Sequence, residues 1–194
     1  MRIEWESFDE EEKPQRTTLD DKIDEKLLEE GIIVLHGELN ETNCNSTARK
    51  LLYLESLGKK KIRMIMNSVG GEVYHGLLIY DTLEALKKKG IEVIVEARGV
   101  CASMGVVVLM GASKRVASKY TRFLLHEVSS WTYGKASEIQ EESEELNRVN
   151  RMLDEIVANR SKITLKTLQK KTRKKEWWLS AEEALKLGLI DEIV

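Results

Sequence analysis

Residues 98–112, RGVCASMGVVVLMGA, place one hydroxyl, that of Ser103, between two glycines inside a largely apolar run. Such a serine has two uses. It can pack as a small structural group bonded to a carbonyl one turn back. Alternatively it is a nucleophile at a strand-to-helix junction, where free amides and the helix dipole stabilise a developing anion. The second use requires a base. Three histidines are available: His36 closing IIVLH, His75 in EVYHGLL and His126 closing RFLLH. Any of them can be a structural residue beside an apolar strand, but His126 ends its strand, the edge where parallel α/β sheets collect their sites. Ser103 and His126 would together form the nucleophile and general base of an acyl-transfer centre. Such a centre also needs donors for an oxyanion. MNSVGGEVYHG, residues 66–76, has adjacent glycines ahead of a helix, which let backbone approach a ligand and turn an N–H inward. A plain strand-to-helix turn would use the same residues. No GxGxxG or Walker spacing accompanies them, so a phosphate site is not supported.

The elements that must position these groups follow from periodicity. From GIIVLHGEL onward, short β-branched runs alternate with amphipathic stretches: a strand at IIVL, a helix near 43–56, a strand at IRMIM, a helix near 74–89 and a strand at IEVIVEA. That alternation predicts βαβ units and a mostly parallel sheet. Leu77, Leu78, Tyr80, Leu83 and Leu86 form one apolar face of the helix near 74–89, which stops at KKKG. A longer helix is predicted over 136–159. Its first half, SEIQEESEEL, is almost wholly polar, whereas its second half carries Leu146, Val149, Met152, Leu153, Ile156 and Val157 at near-heptad spacing. A helix of that length, about 36 Å at 1.5 Å per residue, is expected to project in part. It is either a surface helix with polar turns or an arm that meets another subunit.

The 194 residues suit one domain with a sizeable core, read as residues 31–194, preceded by a mobile charged arm over 1–30 that holds the only proline, Pro14. With 42% hydrophobic and 33% charged residues and a formal charge of −2, neither disorder nor a nucleic-acid polyelectrolyte is favoured. Cys44 and Cys101 lack the spacing of a disulfide framework or a zinc site. No signal-like or membrane-spanning apolar segment is found, so a cytoplasmic protein without a membrane partner is expected.

Five motifs in register from about Gly31 to Val194 resemble the Clp protease proteolytic subunit family of self-compartmentalising serine peptidases. They are NSVGG at 67–71, IYDT at 79–82, ASMG at 102–105, LHEV at 125–128 and WLSAEEALKLGLID at 178–191. The resemblance implies an α/β chain of the crotonase-like fold with a projecting handle helix, here the helix near 136–159. It further implies self-association into heptameric rings stacked in pairs, cleavage of peptides or unfolded proteins inside the chamber, and no metal or organic cofactor. Carried over by position, it makes Ser103 the nucleophile and His126 the base, with the backbone N–H groups of Gly71 and Met104 around the acyl oxygen. Counting back from WLSA makes Glu176 the third triad member, whereas counting forward from LQKKT reaches Lys175; only a carboxylate can orient an imidazole.

The chain departs from the family pattern where Val69 and Val128 replace prolines and where SSWTYG, residues 129–134, replaces a glycine-rich segment. The N-terminal arm also lacks the family's apolar axial-loop pattern, which leaves a Clp-type ATPase partner open. Two other readings stay open: a non-catalytic ring subunit of the same family, and an acyl-CoA hydratase or lyase on the same fold. The latter class usually carries carboxylates at its centre and no Ser/His pair.

Overall fold

The computed structural model describes residues 18–194. Seven helices and seven strands follow in this order: α1 Leu19–Glu29, β1 Ile32–Leu39, α2 Glu41–Ser56, β2 Lys61–Gly71, α3 Val73–Lys88, β3 Glu92–Ala102, α4 Met104–Met110, β4 Lys114–Ala117, β5 Arg122–Leu125, α5 Ala136–Asn159, α6 Leu165–Thr172, β6 Trp177–Leu179, α7 Ala181–Lys186 and β7 Glu192–Ile193. The sheet runs β1-β2-β3-β4-β7, with β5 also on β3 and β6 on β5. Every pairing is parallel except β5 with β6. The fold is the α/β arrangement expected from the alternating pattern, and α5 has the predicted bounds.

β3 runs further than the apolar run IEVIVEA indicates, because it bends and continues. Its first half pairs with β4 (Ile94↔Lys114 to Ala97↔Ala117) and its second with β5 (Val100↔Arg122 to Ala102↔Leu124). The bend is at Gly99, whose φ of +70° suits glycine. Here the register with β2 jumps from Met66↔Ala97 to Ser68↔Cys101. Asn67 replaces the missing ladder: its Oδ1 accepts the Val100 N–H at 3.1 Å. A Cβ on Gly99 would lie 3.0 Å from that same oxygen. On the other flank, buried Thr121 donates to the Ala97 carbonyl at 2.9 Å, where pairing passes from β4 to β5.

α1 corrects the reading of residues 1–30 as an arm throughout. Leu19–Glu29 is helical, started by a capping box in which Asp21 N–H donates to Thr18 Oγ1 at 3.1 Å and Thr18 N–H to Asp21 Oδ2 at 2.8 Å. No residue of α1 is buried. It is joined to the body through the Lys50–Asp24 pair and a 2.7 Å bond from Lys59 Nζ to the Glu29 carbonyl. The remainder of the arm, residues 1–17, lies outside the described residues.

The C-terminal elements are tied in by two arginines. Arg115, only 8% exposed, holds Asp191 through Nε at 3.1 Å, the Gly188 carbonyl through Nη1 at 2.8 Å, and the Arg160 carbonyl. Arg160 in turn donates to the Met110 and Ala112 carbonyls at 3.0 and 2.7 Å, which satisfies the C-terminal end of buried α4. Truncating Arg115 strips donors from three buried acceptors at once. Arg115→Ala is expected to lower stability by about 3 kcal/mol, the scale for breaking a buried charged pair, read as a fall in the urea midpoint.

Candidate active site

The bend in β3 determines where Ser103 lies. Beyond it, Ala102 pairs with Leu124, and the Ser103 N–H donates to the Leu124 carbonyl at 2.8 Å. That bond fixes Ser103 two residues from His126, at the adjoining strand end. Ser103 then turns the chain into α4 with φ 54° and ψ −125°, a conformation that costs a non-glycine residue about 1–3 kcal/mol. All seven residues of α4 are buried, so packing holds the strained residue in place.

The end of β2 closes against this turn. Buried Ser68 donates to the Gly37 carbonyl at 2.7 Å and accepts the Gly70 N–H at 3.1 Å. Gly70, at φ +91°, leaves no room for a side chain: a Cβ would stand 2.6 Å from the Ser103 Cβ and 2.7 Å from the Ala102 carbonyl. Gly71 runs equally close to β1, where a Cβ would stand 2.3 Å from the Leu39 oxygen. The paired glycines of NSVGG therefore serve close approach of backbone to backbone beside the serine. Gly76 does the same on α3, where the Met104 side chain occupies the space of its missing Cβ.

Ser103, His126, Gly71 and Met104 all line one cavity of about 110 Å³. Its apolar wall comes from Val106 and Val107 of α4, Leu153 and Val157 of α5, and Leu168 of α6. Glu176 is not part of this lining. The antiparallel pair Leu125↔Trp177 brings it next to His126 along the strands, but its exposed carboxylate accepts from Trp178 Nε1 at 3.0 Å. Lys175 is likewise exposed, and its N–H closes a turn onto the Thr172 carbonyl at 3.0 Å. Of the other histidines, His75 is 3.3 Å from Glu72, and His36 lies in β1.

The cavity also holds two polar residues that the sequence reading passed over, Asn150 and Asp154 of α5. Asn150 accepts the Val128 N–H at 2.9 Å and donates to Asp154 Oδ2 at 3.2 Å. A proline at 128 could not make the first of these bonds; the loop after His126 is instead tethered to α5. Asp154 is only 8% exposed. Burial raises its pKa to about 6, the charge of Glu127 adds to the shift, and a hydrogen bond from the Gln169 side chain opposes it. The available signal was the polar i, i+4 pair interrupting an apolar stripe.

The other departures lie at the surface. Trp131 and Tyr133 are 87% and 89% exposed in the loop between β5 and α5, and residues 136–145 of α5 are exposed throughout. Cys44 and Cys101 are free and buried. Among the described residues no helix is long and apolar enough to cross a membrane.

Residues 15–194 match the family profile described as Clp protease. The chain is 37% identical to ATP-dependent Clp protease proteolytic subunit 3 of Synechococcus sp. (strain CC9902), with 85% of this chain and 82% of that protein covered. It is 33% identical to the ATP-dependent Clp protease proteolytic subunit of Borrelia garinii subsp. bavariensis and to proteolytic subunit 1 of Borreliella burgdorferi, with 87% of each chain covered. A serine turned into a helix beside a strand-end histidine, on a sheet matched along nearly its whole length, makes this chain a member of the Clp protease family and a serine-type peptidase.

Proposed function

We propose that this Clp-family serine peptidase cleaves internal peptide bonds of peptides and unfolded proteins through Ser103. The observation that carries the reading is that Ser103, held in its turn by the bond to Leu124, opens onto the same cavity as His126. Ser103 Oγ attacks the scissile carbonyl as His126 takes its proton. The N–H groups of Gly71 and Met104 donate to the oxyanion, and His126 returns the proton to the leaving amine. Water then attacks the acyl-enzyme by the same route in reverse.

Glu176 is the orienting carboxylate in this reading. Its position beside the strand end of His126 lets rotation away from Trp178 Nε1 bring it toward the imidazole, with one more methylene than an aspartate would have. The extra rotatable bond costs ordering entropy, so the imidazole is held less rigidly than in a Ser-His-Asp triad.

The exposed half of α5 is the handle through which subunits associate into stacked rings, heptameric in the family pattern, and the cleavage sites face the enclosed chamber. The relatives named as ATP-dependent support a Clp-type ATPase that delivers unfolded chains. The buried free thiols suit a reducing compartment, and we assign the protein to the cytoplasm.

Ser103→Ala is expected to abolish both hydrolysis of fluorogenic peptides and labelling by a fluorophosphonate; turnover near the wild-type rate would exclude the serine mechanism. Glu176→Gln is expected to cut turnover by several orders of magnitude, toward the loss of about 10⁴ seen when a triad carboxylate is neutralised, with Lys175→Ala doing little. Unchanged turnover in Glu176→Gln would instead mean a Ser-His dyad. Deleting residues 138–145 is expected to give single rings or smaller species by light scattering, and an intact chain that is monomeric at micromolar concentration would refute the chamber.

A further inference from the structure

We infer that Asp154 makes the cavity beside Ser103 a receptor for a basic side chain, so that the peptidase favours lysine or arginine as the residue whose carbonyl is attacked. The inference rests on the proposed role of Ser103. A serine that attacks a carbonyl has the side chain of that same residue next to it, and the cavity adjoining Ser103 is the space open to that side chain.

The hydrogen-bonding capacity of the wall determines what fits. Asn150 is fully engaged, its Oδ1 by the Val128 N–H and its Nδ2 by Asp154. Thr172 commits its proton to the Leu168 carbonyl at 3.0 Å, leaving only acceptor capacity on its oxygen. Asp154 has room for about four acceptor contacts when ionised. It receives one from Asn150 and a further bond from the Gln169 side chain. Among the described residues no lysine, arginine or histidine forms an ion pair with it. The inner wall thus offers acceptors to an incoming group and, at Asp154, an uncompensated buried carboxylate.

Such a carboxylate destabilises the fold unless something answers it. A side chain with a long apolar stem and a cationic tip does so. The stem lies against Val106, Leu153, Val157 and Leu168, and the tip supplies the missing donors and charge. The groups that face Asp154 are Asn150 from its own helix, Gln169 and Thr172 from α6, and Glu127 and His126 from the end of β5; the α4 wall adds only Val106 and Val107. Glu127 adds negative charge and reinforces attraction of a cation.

The preference is pH-dependent, and its sign follows from the raised pKa of the free site. Below about pH 6 Asp154 is mostly neutral and the cavity treats a lysine and an apolar chain of equal length alike; above it the ionised carboxylate favours the cation.

The test measures kcat/KM for two fluorogenic peptides that differ only in lysine against norleucine at the attacked residue. Both substrates share the titration of His126, so it cancels in their ratio. In the wild-type chain the lysine-to-norleucine ratio is expected to rise at least about tenfold from about pH 5 to about pH 8. Asp154→Asn, which keeps the shape, is expected to flatten that rise and lower the ratio at the upper pH by roughly thirtyfold, the scale for losing one partner of a buried charge pair. Fluorophosphonate labelling of the variant checks that its site is assembled. A ratio flat with pH in the wild-type chain, or one that a labelled Asp154→Asn leaves unchanged, overturns the inference. So does labelling of Ser103 with neither peptide cleaved. A wild-type chain that neither labels nor cleaves overturns the serine reading, and the inference with it.

Discussion

The site depends on a single backbone exchange. At Gly99, β3 leaves β4 and takes up β5, and Asn67 Oδ1 accepts the Val100 N–H that the shifted register would otherwise leave without a partner. A buried amide without a partner costs roughly 1–3 kcal/mol, so the side chain of Asn67 makes the bend tolerable. Downstream of the bend the ladder resumes on β5, and its last bond, from the Ser103 N–H to the Leu124 carbonyl, carries Ser103 to the end of the strand that bears His126. Had β3 continued straight alongside β4, no ladder would connect the serine to that strand.

Strain at Ser103 is supported from several sides. Its positive φ is held by the wholly buried α4, whose far end Arg160 satisfies and Arg115 ties to the C-terminal elements. The space around it is limited by backbone, since Gly70 has no room even for a methyl group. Stability and site geometry are therefore coupled: the arginine network that joins the C-terminal segment also anchors the helix on which Ser103 turns.

The link from Val128 through Asn150 to Asp154 shows how a local departure propagates. Valine in place of proline frees an N–H after His126, Asn150 takes it, and the other end of the same amide leans on a buried carboxyl. The chain exchanges a loop stiffened by a ring for one held by hydrogen bonds to α5. The energetic cost is carried by Asp154, whose burial disfavours its charge.

Much was readable from local pattern. Strict alternation in IRMIM and the 3.6-residue periodicity of residues 73–88 report burial on one face, and both elements formed where that burial dictates. The half-polar α5 was equally legible, because charge and apolar content change along one continuous helix. Motif order was enough for the family and for the pairing of Ser103 with His126. Less local features were not. The helicity of Leu19–Glu29 rests on a Thr18/Asp21 capping box inside a run whose charge reads as solvated chain. The bend at Gly99 requires a side chain from another strand, and the side-chain direction of Glu176 is decided by Trp178 two residues on. Asp154 gave no signal of its own, since a carboxylate in an amphipathic helix ordinarily faces water. Only the packing of α5 against α4 and α6 turned it inward. Sequence by itself determined which residues are able to do chemistry and which faces are apolar, because both are properties of short segments. Tertiary structure decided which of those residues meet and which charges lose their water, because both depend on surfaces that segments far apart in the chain bring together.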